Sequence, residues 1–278
     1  MPVRVVESKD NARLKELRKA LAAASRGAQG HIGIEGPHLL EEAVRAGLRV
    51  KTVFVAQGAE RLLVGLHVPP ETEILRLPAK LLDSALATET PQAIAALVEP
   101  PEWSWPHILD ARRKGTELVI ILAGIQDPGN LGTILRSAEA FGVTGVVSLP
   151  GTASAWNPKA VRASAGSVFR VPLLAVSERE CLEKLHEAGV KILATTVRTA
   201  QPADLVDLAS PVALIIGNEG NGVAVDLAAK ADARITIPCP GPVESLNAAV
   251  AASVLLYEAV RQRTTGSGGP ADHRGVQR

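Results

Sequence analysis

The sequence predicts an α/β protein of two domains, the second built on a parallel sheet. Three observations carry that prediction. Short apolar runs alternate with amphipathic stretches along most of the 278 residues, which is the pattern of strands and helices stacked in layers. Beyond residue 117 the apolar runs are nearly unbroken, as in strands buried on both faces of a parallel sheet. Between the two halves, "EPPEWSWPHILDARRKGT" (99–116) interrupts the periodicity with prolines and charges and reads as a linker.

In the first half, Asp10–Ala24 is read as a basic amphipathic helix and "GHIGIEG" as a short strand with a turn. "PHLLEEAVRAG" opens a helix on Pro37, a residue suited to the first helical position. "VKTVFVA" is a strand, "AKLLDSALA" a helix and "AIAALVE" a strand. In the second half the strands are "ELVIILAG", "GVVSLP", "VKILATTV", "VALIIGNE" and "ARITIPCP". The helices between them are Leu131–Phe141, Pro158–Ser167, Glu178–Ala188 and Ala224–Ala231, and a last helix is expected from Glu244 to Gln262. The Gly/Ser-rich tail, 264–278, is expected to be disordered. The domains are therefore drawn as 1–98, a linker 99–116, 117–263 and the tail. By pattern alone the second domain is an open, doubly wound sheet.

Bulk charge excludes little, at +1 for the whole chain, but local charge is uneven. Residues 1–26 hold seven basic side chains against three acids, with Lys9 and Arg13 among them. Residues 153–170 hold Lys159, Arg162 and Arg170 and no acid. Such faces suit contact with a polyanion, although for either patch alone ordinary solvation is the stronger reading. Two cysteines make neither a disulfide framework nor a four-cysteine zinc site, and a reducing compartment fits. There is no basic start followed by an apolar run, and no unbroken apolar stretch of about 18 residues, so a cytoplasmic protein without a membrane span is expected. No metal is expected.

Ligands of a parallel α/β sheet bind beyond the carboxyl ends of its strands. Here those ends carry "GIQDPGNLG", "PGTASAWNPK", "TTVRTA", "GNEGNG" and "PCPGPVESLNAA". A nicotinamide dinucleotide site fails twice: Gly124, Gly129 and Gly132 have the wrong spacing, and the second strand ends in "SLPG" without an acid. A P-loop fails for want of Gly-Lys-Ser/Thr. Cap and turn chemistry would account for several single residues: Asn130 as a helix cap, Glu139 as a partner of Arg136, Glu244 or Ser245 at a helix start.

Taken together, "DPGNLGTILRSAEAFG", "LIIGNEGNGV" and "IPCPGPVESLNAAVAASVLLYE", in that order and spacing, resemble the three motifs of the SpoU (TrmH-type) RNA ribose 2′-O-methyltransferases of the SPOUT superfamily. The resemblance covers about 119–261. "IEGPHLLEEAVRAG" and "ATETPQAIAALVE" resemble, more loosely, the family's ribosomal-protein-like RNA-binding domain. It implies a deep trefoil knot in the second domain, which sequence rules alone would exclude. It implies S-adenosyl-L-methionine as methyl donor, held by the backbone at Gly217, Ile237 and Leu246 with Thr196 and Asn218 nearby. Arg136, Asn130, Glu219, Ser245 and Asn247 become the catalytic set. Because guanidinium groups keep their proton at ordinary pH, gripping an RNA phosphate suits Arg136 at least as well as acting as a base. Lys9, Arg13, Lys159 and Arg162 become RNA-binding candidates, and a homodimer is implied. Ribosomal RNA is the first expected substrate, with transfer RNA, or RNA binding without catalysis, as alternatives.

Overall fold

The computed structural model describes residues 3–22, 30–86, 88–109, 116–197 and 200–266. It divides into two compact units: Met1–Trp103 with Asp127–Arg136 and Ala153–Val171, and Ser104–Gln126 with Ser137–Thr152 and Pro172–Arg278. The units are thus not two contiguous halves of the chain.

The first part of the chain folds as β1 (Val3–Val5), α1 (Ala12–Ala22), β2 (Ile32–Glu35), α2 (Pro37–Arg45), β3 (Val50–Ala56), β4 (Glu73–Leu77), α3 (Ala79–Asp83) and β5 (Ile94–Val98). The five strands form one mixed sheet in the order β1-β4-β3-β5-β2. Leu14, Leu17 and Leu21 of α1 sit in its core with Phe54, Leu75 and Leu97. Asn11 begins α1: its side chain accepts the backbone N–H of Arg13 and Leu14, as an N-cap does. The end of that helix beyond Ala22 lies outside the described residues. The sequence reading missed β1 and β4 because arginines interrupt "VRV" and "EILRL". In the sheet β1 is the edge strand, and its Arg4 lies 3.9 Å from Glu73 of the neighbouring β4.

The rest continues as α4 (Trp105–Ile108), β6 (Leu118–Ala123), α5 (Pro128–Ala140), β7 (Gly145–Ser148), α6 (Pro158–Ala163), β8 (Leu173–Ala175), α7 (Glu178–Glu187), β9 (Lys191–Thr195), β10 (Gln201–Pro202), β11 (Val212–Gly217), α8 (Val225–Ala229), β12 (Ala233–Thr236) and α9 (Ala248–Gly266). All seven strands of its sheet run parallel, in the order β10-β12-β9-β11-β6-β7-β8. The central strands β6 and β11 are buried almost throughout, as their unbroken apolar runs require.

Several expectations need correction. Part of the 99–116 linker is folded: α4 is closed by a Ser104/His107 capping box, and Ile108 is buried in the core of the parallel sheet. Residues 110–115 lie outside the described residues. The last helix starts at Ala248, not Glu244. Prolines 238, 240 and 242 keep the chain before it irregular, and Asn247 caps it by accepting the N–H of Ala249 and Val250. It also runs to Gly266, three residues into the stretch drawn as tail; 267–278 lie outside the described residues. Finally, the sheet is not a simple open one: its last strand, β12, lies between β9 and β10. Thr195 and Gln201, six residues apart in the chain, both pair with Ile235, one on each side of β12. An open doubly wound sheet drawn from the pattern has no such insertion. No described helix is long and apolar enough to cross a membrane.

Candidate functional site

The carboxyl ends of β9, β11 and β12, the loop 218–223 and the segment 243–248 enclose a cleft of about 640 Å³, a size that suits a small-molecule ligand. Gly217, Asn218, Glu219, Thr196, Ile237, Ser245 and Leu246, all singled out from the sequence, line it. Asn247 does not, being the cap of α9; neither do Asn130 and Arg136, which α5 carries in the part counted with the first unit.

Part of the cleft wall is a tight, glycine-rich loop. Asn218 and Gly222 exchange both backbone hydrogen bonds, at 3.0 and 2.9 Å, so the loop between them folds flat against the end of β11. A Cβ on Gly217 would lie 2.2 Å from the carbonyl carbon of Gly222 and the nitrogen of Val223, so only glycine fits there. Asn218 fixes the loop from inside. Its Oδ1 accepts the N–H of Gly220 and Asn221, and its Nδ2 donates to the Gly124 carbonyl at 2.8 Å. Glu219 accepts the Gln126 N–H at 3.2 Å. The second motif is thereby tied to the turn that leads into the first.

The lining is also electrostatically one-sided. Among the described residues it carries the carboxylates Glu219 and Glu244 and no lysine, arginine or histidine. Such a cavity favours a cationic ligand over a phosphate-bearing one. Among the described residues no cluster of three or more His, Cys, Asp or Glu could hold a metal ion. Cys239 lines the same cleft and is exposed, which the sequence reading did not single out.

Asp127, not Asn130, caps α5. Its carboxylate accepts the Asn130 N–H, and its carbonyl accepts that of Leu131. The hydrogen bond from Lys159 Nζ, at 2.5 Å, and those from the backbone of Gly129 and Asn130 hold its carboxyl below the ordinary carboxylate range. Lys159, an RNA-binding candidate, is therefore already ion-paired. So is Arg13, with Glu16 at 3.0 Å and Glu73 at 3.4 Å, while Arg170 pairs with Glu42 at 2.7 Å. The "acid-free" stretch 153–170 draws its acids from elsewhere in the fold. Lys9, Arg162 and Arg136 are exposed and have no ion-pair partner among the described residues.

Comparison with known proteins fits this geometry. Residues 117–257 match the model of the SpoU rRNA Methylase family, and residues 11–96 match an MRM3-like substrate binding domain. The chain is 34% identical over 252 residues to the 23S rRNA (guanosine(2553)-2′-O)-methyltransferase RlmP of Bacillus subtilis, covering 91% of this chain and 97% of that one. Its fold matches the SpoU methyltransferase AviRb of Streptomyces viridochromogenes, solved with AdoMet, with TM-score 0.78 and 29% identity over 92% of this chain and 99% of that one. It also matches an AdoMet-bound rRNA methyltransferase of Sinorhizobium meliloti, with TM-score 0.79 and 29% identity over 93% and 98% of the two chains.

Proposed function

Since the chain belongs to the SpoU rRNA methylase family, we propose that it is a cytoplasmic enzyme that methylates a ribose 2′-hydroxyl of ribosomal RNA with S-adenosylmethionine. The observation that carries this reading is the cleft at the ends of β9, β11 and β12, whose described lining holds three glycines, two carboxylates and no basic side chain. That lining suits a donor with a sulfonium and an ammonium group and disfavours a pyrophosphate. Bound there, the donor supplies a methyl group already activated by positive sulfur.

The protein's share is alignment and relief of the hydroxyl's proton. Backbone groups at Gly217, Ile237 and Leu246, with Thr196 and Asn218, hold the donor. Arg136, exposed and unpaired among the described residues, grips a phosphate of the substrate and orients its hydroxyl. Asn130, Glu219, Ser245 and Asn247 complete the constellation. Residues 1–98 serve the RNA and residues 117–263 hold the donor, with Lys9 in the first part and Arg162 in the second the more available of the cationic candidates. Lys159 and Arg13 contribute less, because acids already compensate them.

Two further features belong to the reading. The family's trefoil threading is supported by the pairing of Thr195 and Gln201 on opposite sides of Ile235. A homodimer is supported by Val250, Val254 and Tyr257, exposed at 49%, 40% and 59% along α9, since their four-and-three spacing forms one stripe.

The test is transfer of labelled methyl from S-adenosylmethionine to ribosomal RNA, with transfer RNA alongside. Wild type is expected to label ribosomal RNA on the ribose. Arg136→Ala and Asn130→Ala are each expected to lower the rate at least a hundredfold while leaving donor affinity within about threefold. RNA binding without donor binding would replace this reading by an RNA-binding role.

A further inference from the structure

Thr152 stands outside the three family motifs and does not line the cleft. It is half-buried, just beyond the end of β7. Its hydroxyl accepts the N–H of Gly124 at 3.0 Å and donates to the carbonyl of Leu122, also at 3.0 Å. Gly124 follows the last residue of β6 with φ +77°, and its N–H goes to the Thr152 side chain. On its other side the Gly124 carbonyl accepts Nδ2 of Asn218. Both backbone groups of one residue are thus held by side chains from two different loops. The result is a brace running across the carboxyl ends of three adjacent strands, β7, β6 and β11: Thr152, Gly124, Asn218.

The brace has a mechanical consequence. Asn218 is the residue whose Oδ1 holds the amides of Gly220 and Asn221, and those residues form the cleft wall. Its carboxamide can be anchored at Gly124 only if the peptide after Gly124 keeps its orientation. Thr152 holds the peptide before Gly124 by accepting its N–H, so Gly124 is fixed by Thr152 on one side and by Asn218 on the other, and polar groups held this way specify one geometry.

We propose that Thr152 is a positioning residue for the donor cleft, acting through Gly124 and Asn218 on the loop 218–222. This rests on the proposed function, because the quantity it controls is affinity for S-adenosylmethionine. Thr152 touches neither donor nor RNA in this arrangement, and it works through its hydroxyl.

The experiment is calorimetric titration of wild type, Thr152→Val, Thr152→Ser and Asn218→Asp with S-adenosylmethionine, together with melting curves and hydrogen exchange at Gly220 and Asn221. Thr152→Val, which keeps the shape and loses the hydroxyl, is expected to weaken donor affinity about tenfold and speed exchange at those two amides. Thr152→Ser keeps the hydroxyl and is expected to stay within about twofold of wild type. Asn218→Asp, which keeps the loop acceptor and sets an oxygen against the Gly124 carbonyl, is expected to weaken affinity at least as much as Thr152→Val. A folded Thr152→Val with wild-type affinity and exchange would overturn the proposal while leaving the function intact. If Thr152→Val does not fold, wild-type affinity in Asn218→Asp overturns it instead. A well-folded wild type that fails to bind the donor overturns the function itself.

Discussion

At the residue scale, chemistry in this protein depends on side chains whose positions the sequence names but whose partners it hides. Gly217 is one case. Its place in "GNEGNG" marks it as unusual, yet the reason only glycine fits is the backbone of Gly222 and Val223, 2.2 Å from any Cβ. Gly217→Ala is expected to cost about 1–3 kcal/mol, as overpacking does, and to lower donor affinity sharply; denaturant melts with titration check both. The cysteines are another. Burial pushes the Cys181 thiol up to about 12, which suppresses the reactive thiolate. Cys239 is exposed in the cleft. At pH 8 a thiol reagent is therefore expected to modify Cys239 quickly and Cys181 only after unfolding, and S-adenosylmethionine is expected to slow the first reaction. Mass spectrometry of labelled peptides reads both outcomes. Nothing in the sequence separates these two cysteines, because burial belongs to the fold.

Among the elements, α5 shows what a cap decides. The sequence leaves Asn130 as either cap or functional group; in the structure Asp127 takes the capping role and Asn130 lies inside the first turns. Asp127 is held ionised below its ordinary value of 3.8 by Lys159 and by backbone N–H groups. Its folded pKa is thus depressed, so its contribution is present above the ordinary carboxylate value and fades as pH falls through the lower folded value. Amide exchange at the start of α5 is expected to speed up over that acid window in wild type and to lose the step in Asp127→Asn. In α9 the opposite assignment holds. Asn247, proposed for catalysis, also caps the helix, so Asn247→Ala is expected to cost about 1 kcal/mol of stability besides any loss of rate. Strands legible from the sequence were those whose apolar runs are continuous. The ones it missed, β1, β4, β8 and β10, are short or carry charges, and only pairing with a neighbour makes them strands.

For the molecule as a whole, the open question is what covers α9. Val250, Val254 and Tyr257 leave an apolar stripe facing outward, and Phe141 packs edge-on against the Tyr257 ring at 6.4 Å between centroids. If a second copy covers that stripe, wild type sediments as a dimer and Val254→Asp as a monomer, with secondary structure by circular dichroism unchanged. A monomeric wild type would remove the dimer from the proposal. RNA binding is a second property of the whole chain. Because Arg13, Lys159 and Arg170 are already paired, Arg162→Ala is expected to reduce the salt dependence of RNA affinity by about one counterion, and Arg13→Ala by less.

The sequence by itself determined the class of fold, the parallel order implied by unbroken apolar strands, and the three motifs that place the chain in its family. These are properties of local pattern: periodicity, turn residues and spacing survive without knowledge of neighbours. The tertiary structure alone decided that β12 lies between β9 and β10, that acids from distant segments pair with two of the three cations of 153–170, and that Thr152 and Asn218 hold one residue from both sides. Each of those depends on which distant segments meet, and a chain's periodicity carries no record of its partners.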